Sequence, residues 1–181
     1  MMEEKIMKTK ALVLFYPDCI EFEAILAAQV LHEENLSIDI ATPDGTDYLG
    51  PSGIALRATH SYADVHPEEY RVVIVPGGDT RSVLDNETLI GILQTAHAAG
   101  AAFVAICAGP LLLARAGLLK GRRFTHGYGP NSQLPYWNDG TYENQPTNRS
   151  VVFHQILDKH KIEHDYYVGG NGAHDWATWR H

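Results

Sequence analysis

The clearest local chemistry in this sequence centres on Cys107. Residues 103–110 read FVAICAGP: an apolar run, the cysteine, then a glycine and a proline. The run predicts a buried strand, Gly109 permits a tight turn, and Pro110 suits the first position of a helix, where a missing N–H costs nothing. A thiol placed there meets free backbone N–H groups and the positive end of a helix. The expectation is therefore a thiolate whose pKa falls below the free value of about 8.5. Cysteine is often a buried structural residue, and in an arbitrary strand that would be the better reading. The strand-to-helix elbow reverses it.

Three further features sit where they can act with such a thiol. Gly77 and Gly78 follow a second apolar run, VVIV at residues 72–75, and two glycines let the backbone approach a ligand and aim N–H groups at an oxyanion. Glu23 lies in the first turn of an expected helix, flanked by Phe22, Ala24, Ile25 and Leu26. It either complements the helix dipole or serves as a carboxyl in an apolar pocket that exchanges protons with substrate or thiolate. His126 follows a short strand expected at residues 123–125 and would act as a base or as a cation supporting the thiolate.

These residues need elements to hold them. Apolar runs at 11–16, 72–75 and 103–106 predict buried strands, and the alternating SIDIAT at 37–42 predicts another. Helical spacing appears at 20–34, through Phe22, Ile25, Leu26, Gln29 and Val30, and at 86–99, through Leu89, Ile92, Leu93 and Ala96. A third helix continues from 111, and residues 48–65 carry short pieces that suit a small hairpin. Strands alternating with helices predict a parallel sheet covered on both faces, with ligands beyond the carboxyl ends of the strands. The loop before Glu23, the Gly77–Gly78 turn and Cys107 all fall at such ends.

Composition sets the bounds. The chain has 181 residues, 45% hydrophobic and 20% charged, which suits one globular core. A formal net charge of -8 argues against a general nucleic-acid binder, and Lys120, Arg122 and Arg123 read as a solvated corner. Two cysteines, Cys19 and Cys107, are too few for a disulfide framework. With no apolar leader and no run of about 18 apolar residues, the expectation is a cytoplasmic protein without a membrane partner. There are ten histidines, and His154, His160, His164, His174 and His181 crowd the end of the chain. They form no tight ligand pair, so neither a metal nor another cofactor is expected.

Four segments in order, ALVLFYPDCIEFE, VVIVPGGD, FVAICAGP and FTHGYG, resemble the DJ-one/ThiJ/PfpI superfamily. The resemblance covers residues 10 to 146 and implies a flavodoxin-like three-layer α/β sandwich, usually as a homodimer. Carried over by position, it makes Cys107 the nucleophile and Glu23 the carboxyl touching it. Gly78 and Ala108 become oxyanion donors, and His126 the nearby histidine. The peptidase-like branch has a histidine directly after the cysteine, where this chain has Ala108. The Cys-Ala-Gly-Pro form looks instead like the branch linked to glutathione-independent glyoxalase activity, deglycase activity and carbonyl or oxidative stress.

The domain expected from this is residues 1–146, followed by an atypical tail at 147–181. From about residue 150 the tail resembles the end of α/β-hydrolase esterases, with His174, Asp175 and Trp176 in the place of a catalytic histidine segment. No Gly-x-Ser-x-Gly elbow precedes it, so the tail reads as non-catalytic. Two functions compete: an enzyme acting on small reactive carbonyls, and a redox sensor or protective protein in which Cys107 is oxidised without turnover. An amidase or peptidase ranks third because of Ala108.

Overall fold

The computed structural model describes residues 8–120 and Arg122. The strand expected at 123–125, His126 and the domain boundary near residue 146 with its tail lie outside the described residues. In chain order the elements are β1 (Lys10–Leu14), α1 (Glu21–Glu33), β2 (Ser37–Thr42), β3 (Tyr48–Leu49), β4 (Ala55–Leu56), β5 (His60–Ser61), β6 (Tyr70–Val75), α2 (Glu87–Ala98), β7 (Ala102–Ala105) and α3 (Gly109–Arg115).

Five strands form one sheet in the order β5-β2-β1-β6-β7, and every neighbouring pair is parallel. The chain steps outward from β1 through β2 to β5, then returns to the other side of β1 for β6 and β7. Crossovers of one hand taken in opposite directions put helices on both faces, which is the flavodoxin-like sandwich. The strand order reverses at β1 and β6, and the segments leaving those two strands lie side by side at the carboxyl edge, where ligands of such sheets bind. Leu12, Leu14, Val73, Ile74 and Val75 are wholly buried in the central pair, as continuous apolar runs require.

Helix α2 follows its periodicity. Leu89, Ile92, Leu93 and Ala96 are buried, the Asn86 side chain caps the first turn by accepting the Leu89 N–H at 2.9 Å, and Gly100 turns the chain out at φ +81°. Helix α1 does not. Its buried residues are Glu21, Glu23 and Ala24, while Leu26 and Val30 are each 60% exposed and Phe22 and Ile25 are half-exposed. The rotation of α1 is set by its first turn, where both carboxylates find backbone donors and the apolar stripe is left outside.

The excursion at 48–56 is an antiparallel hairpin of β3 and β4, and β5 then joins the main sheet beside β2 as an edge strand that the pattern did not foretell. The hairpin is tied to α1 through Glu21, whose Oε1 accepts the Ser52 N–H at 2.7 Å and the Ser52 hydroxyl. Gly50 must lack a side chain, because a methyl group there would lie 2.1 Å from the Glu21 carboxyl carbon. No helix among the described residues is long and apolar enough to cross a membrane.

Candidate active site

The site is built where the strand order reverses. The segments leaving β1 and β6 are zipped together by backbone bonds. The Ile20 N–H donates to the Gly77 carbonyl at 3.0 Å and the Asp79 N–H to the Asp18 carbonyl at 3.2 Å, with Cys19 and Gly78 in an antiparallel bridge. Gly78 has φ +115°, and a methyl group there would fall 2.3 Å from the Asp18 carbonyl oxygen. Both its conformation and its clearance demand glycine.

The third segment is the elbow after β7. Cys107 has φ +55°, in the left-handed region that a non-glycine residue enters at a cost of about 1–3 kcal/mol. The elbow is pressed onto the end of β6: the Ile106 N–H donates to the Val75 carbonyl at 3.1 Å, and Gly109 donates back to Ile106 at 2.7 Å. A methyl group on Gly109 would lie 2.1 Å from the Val75 oxygen, and one on Gly77 would lie 2.5 Å from Cys107 Cβ and 2.9 Å from its sulfur. The glycines thus let the β6 turn and the cysteine elbow touch.

Glu23 reaches this point from the first turn of α1. Its carboxyl is buried, with the residue 8% exposed, and its Oε2 accepts the Gly77 N–H at 2.7 Å. The carboxyl is hydrogen-bonded to the Cys107 thiol, and the sulfur also receives the backbone N–H groups of Ala108 and Gly78. The sequence led us to expect a thiol with a lowered pKa. Instead burial and the Glu23 carboxylate push the Cys107 thiol above its ordinary value, and the two N–H groups only partly offset them. Gly77, expected beside Gly78 as a substrate-side donor, gives its N–H to Glu23.

Cys107 is exposed as a residue although its thiol is partly enclosed against the turn, whereas Cys19 is wholly buried and its thiol is pushed far up by that burial. Cys107, Glu23, Gly77, Gly78 and Ala108 therefore meet at one point. One neighbour was not singled out from the sequence. Tyr16, fully buried at the carboxyl end of the central strand, holds its hydroxyl 2.8 Å from the Pro76 carbonyl and 3.1 Å from that of Gly77. A polar-tipped residue closing an apolar run at the carboxyl end of a predicted strand was the available signal. Among the described residues, no group of three or more His, Cys, Asp or Glu side chains is placed to hold a metal. A thiol and a carboxyl joined by one hydrogen bond, flanked by N–H donors, can add sulfur to a carbonyl while moving the displaced proton.

The sequence model of the DJ-1/PfpI family matches residues 9–157. Protein dj-1beta of Drosophila melanogaster is 30% identical over 122 residues, which cover 66% of this chain and 65% of that protein, just under two thirds of its length. A deglycase of Pyrococcus horikoshii is 30% identical over 117 residues, covering 64% of this chain and 70% of the relative. Among solved structures, that of Drosophila melanogaster DJ-1beta superposes with a TM-score of 0.64 at 25% identity, over 77% of this chain and 71% of that one. A family match over most of the chain, relatives about 30% identical over more than 100 residues and a shared fold agree with one another: the chain belongs to the DJ-1/PfpI family.

Proposed function

We propose that this protein is a cysteine-dependent enzyme that converts small reactive carbonyls, such as methylglyoxal, to hydroxy acids without glutathione. The observation that carries the reading is the Glu23 carboxyl, fixed by the Gly77 N–H and hydrogen-bonded to the thiol of an exposed Cys107. In the proposed sequence the sulfur adds to the aldehyde carbon as its proton passes through Glu23 to the carbonyl oxygen, forming a hemithioacetal. Glu23 then takes the proton from that carbon and returns it to the neighbouring one through an enediol, leaving a thioester of Cys107. Water cleaves the thioester, which releases the hydroxy acid and restores the thiol. The N–H groups of Gly78 and Ala108 are the donors for the oxyanions formed on the way.

The raised thiol suits this cycle. A thiol held protonated and hydrogen-bonded to the Glu23 carboxyl is a nucleophile with its base already in place. It suits peroxide sensing less well, since peroxide reacts with the thiolate. Relatives named deglycases support an enzyme acting on carbonyl-derived adducts. Family membership also supports a homodimer, to be checked by sedimentation.

The test is lactate formation from methylglyoxal, with the mass of Cys107 followed in parallel after peroxide. Turnover by the unaltered chain, lost in both Cys107→Ser and Glu23→Gln, is the expected result. Undiminished turnover in Cys107→Ser would overturn the proposal. Rapid conversion of Cys107 to a sulfinate with no turnover would replace it with the redox reading.

A further inference from the structure

The Gly77–Gly78 turn does two jobs with two adjacent peptide groups. The N–H of the Pro76–Gly77 peptide binds Glu23, and the N–H of the Gly77–Gly78 peptide points at the Cys107 sulfur. A trans peptide is planar, with its C=O and N–H directed oppositely, so fixing the carbonyl fixes the donor. The carbonyls of these same two peptides are the ones the Tyr16 hydroxyl meets, at 2.8 Å for Pro76 and 3.1 Å for Gly77. Glycine-rich turns resist peptide rotation poorly, since glycine has so much of the backbone map open to it. Gly78, at φ +115°, gains no rigidity from a side chain of its own.

We propose that Tyr16 is a positioning residue of the Cys107 site, its buried hydroxyl locking two successive peptide planes so that one N–H faces Glu23 and the next faces the sulfur. In this role Tyr16 acts through the turn, by hydrogen bonds to its carbonyls. The phenol is suited to it. The residue has no solvent exposure, and burial pushes the hydroxyl well above its ordinary value, so its proton stays in place as a donor. The Gly77 carbonyl has a second donor in the Ile20 N–H at 3.0 Å. That bond keeps the fold standing when the phenol is lost, while the two peptide planes, joined at the Gly77 Cα, loosen together. The inference rests on the proposed role of Cys107 as the reactive thiol.

The experiment is the rate of iodoacetamide alkylation at Cys107 against pH, read by peptide mass, in the unaltered chain, Tyr16→Phe and Tyr62→Phe. Tyr62 is the matched control. It is nearly as buried, but its hydroxyl donates to the Phe15 carbonyl at 3.0 Å and to no carbonyl of the turn. Tyr16→Phe should slow Cys107 at neutral pH by roughly tenfold, the weight of one hydrogen bond to an anion, and move the inflection upward. Tyr62→Phe should leave both unchanged. Equal profiles in the unaltered chain and a folded Tyr16→Phe would overturn the inference, as would an equal slowing in Tyr62→Phe. If Tyr16→Phe does not fold, amide exchange in the unaltered chain decides. Gly77 and Gly78 amides protected nearly to the level of the β1 and β6 amides support a locked turn, and exchange by local opening overturns it. If Cys107 of the unaltered chain alkylates no faster than Cys19, it is the reading of Cys107 that fails.

Discussion

Gly77→Ala is the sharpest test of the proposed site, because its consequences follow from distances. The added methyl would lie 2.5 Å from Cys107 Cβ, 2.7 Å from the Ala108 nitrogen and 2.9 Å from the Cys107 sulfur. Carbon atoms rest at about 3.5–4.0 Å, so the turn and the elbow must separate by roughly 1 Å. Two of the three obstructing atoms are backbone or Cβ, and no rotamer change removes them. Overpacking of this kind costs about 1–3 kcal/mol, and in a chain of this length each kcal/mol lowers Tm by about 2–4 °C. The chemical cost should be larger. The same separation pulls the sulfur from the Gly78 N–H and Glu23 from the thiol, and a misplacement near 1 Å costs about 100-fold in turnover. Melting followed by circular dichroism, Cys107 alkylation and lactate formation give the three readouts. Gly91→Ala is the control: nothing lies within 4 Å of its added methyl, and the residue is inside α2, so a gain of about 1 kcal/mol with unchanged chemistry is expected. Gly77→Ala with turnover and Tm like the unaltered chain would refute the contact between turn and elbow.

Three further outcomes follow from the same geometry. In the native chain at neutral pH, Cys107 should alkylate while buried Cys19 stays protected, read by peptide mass; faster labelling of Cys19 would contradict the assignment. Glu23→Gln removes the charge that helps hold the Cys107 thiol up, so its alkylation profile should shift to lower pH even as carbonyl turnover is lost; an upward shift would contradict this. For Glu21, burial alone would raise the carboxyl, but the Ser52 hydroxyl and N–H outweigh it and hold Glu21 below its ordinary value of 4.5. The stabilisation is therefore present above pH 4.5 and lost as pH falls through the lowered folded value, so Ser52→Ala should cost about 1–3 kcal/mol at neutral pH in denaturant titration. The two chains should converge in acid, and a constant difference would argue against the bond.

The sequence by itself determined the elements whose signals are local. The runs at 72–75 and 103–106 both gave strands, the first buried and the second, β7, only half-buried at the edge of the described sheet; SIDIAT became β2 residue for residue, and α2 formed where its apolar spacing placed it. Cys107 at an elbow and Gly77–Gly78 at a strand end were legible because tight turns and close backbone approach demand particular residues. What only the tertiary structure decided depends on partners distant in the chain. The rotation of α1 could not be read from its periodicity, because burial of Glu21 and Glu23 requires donors at Ser52 and Gly77, 31 and 54 residues away. β5 is two residues long and exists only because β2 offers it an open edge. The sense of the Cys107 shift was misjudged for the same reason: a turn and an elbow favour the anion locally, but the carboxylate that opposes it arrives from another helix. Tyr16 looked like the end of an apolar strand, and its hydroxyl acquires meaning only when the strand order reverses beside it and brings the carbonyls of Pro76 and Gly77 within reach.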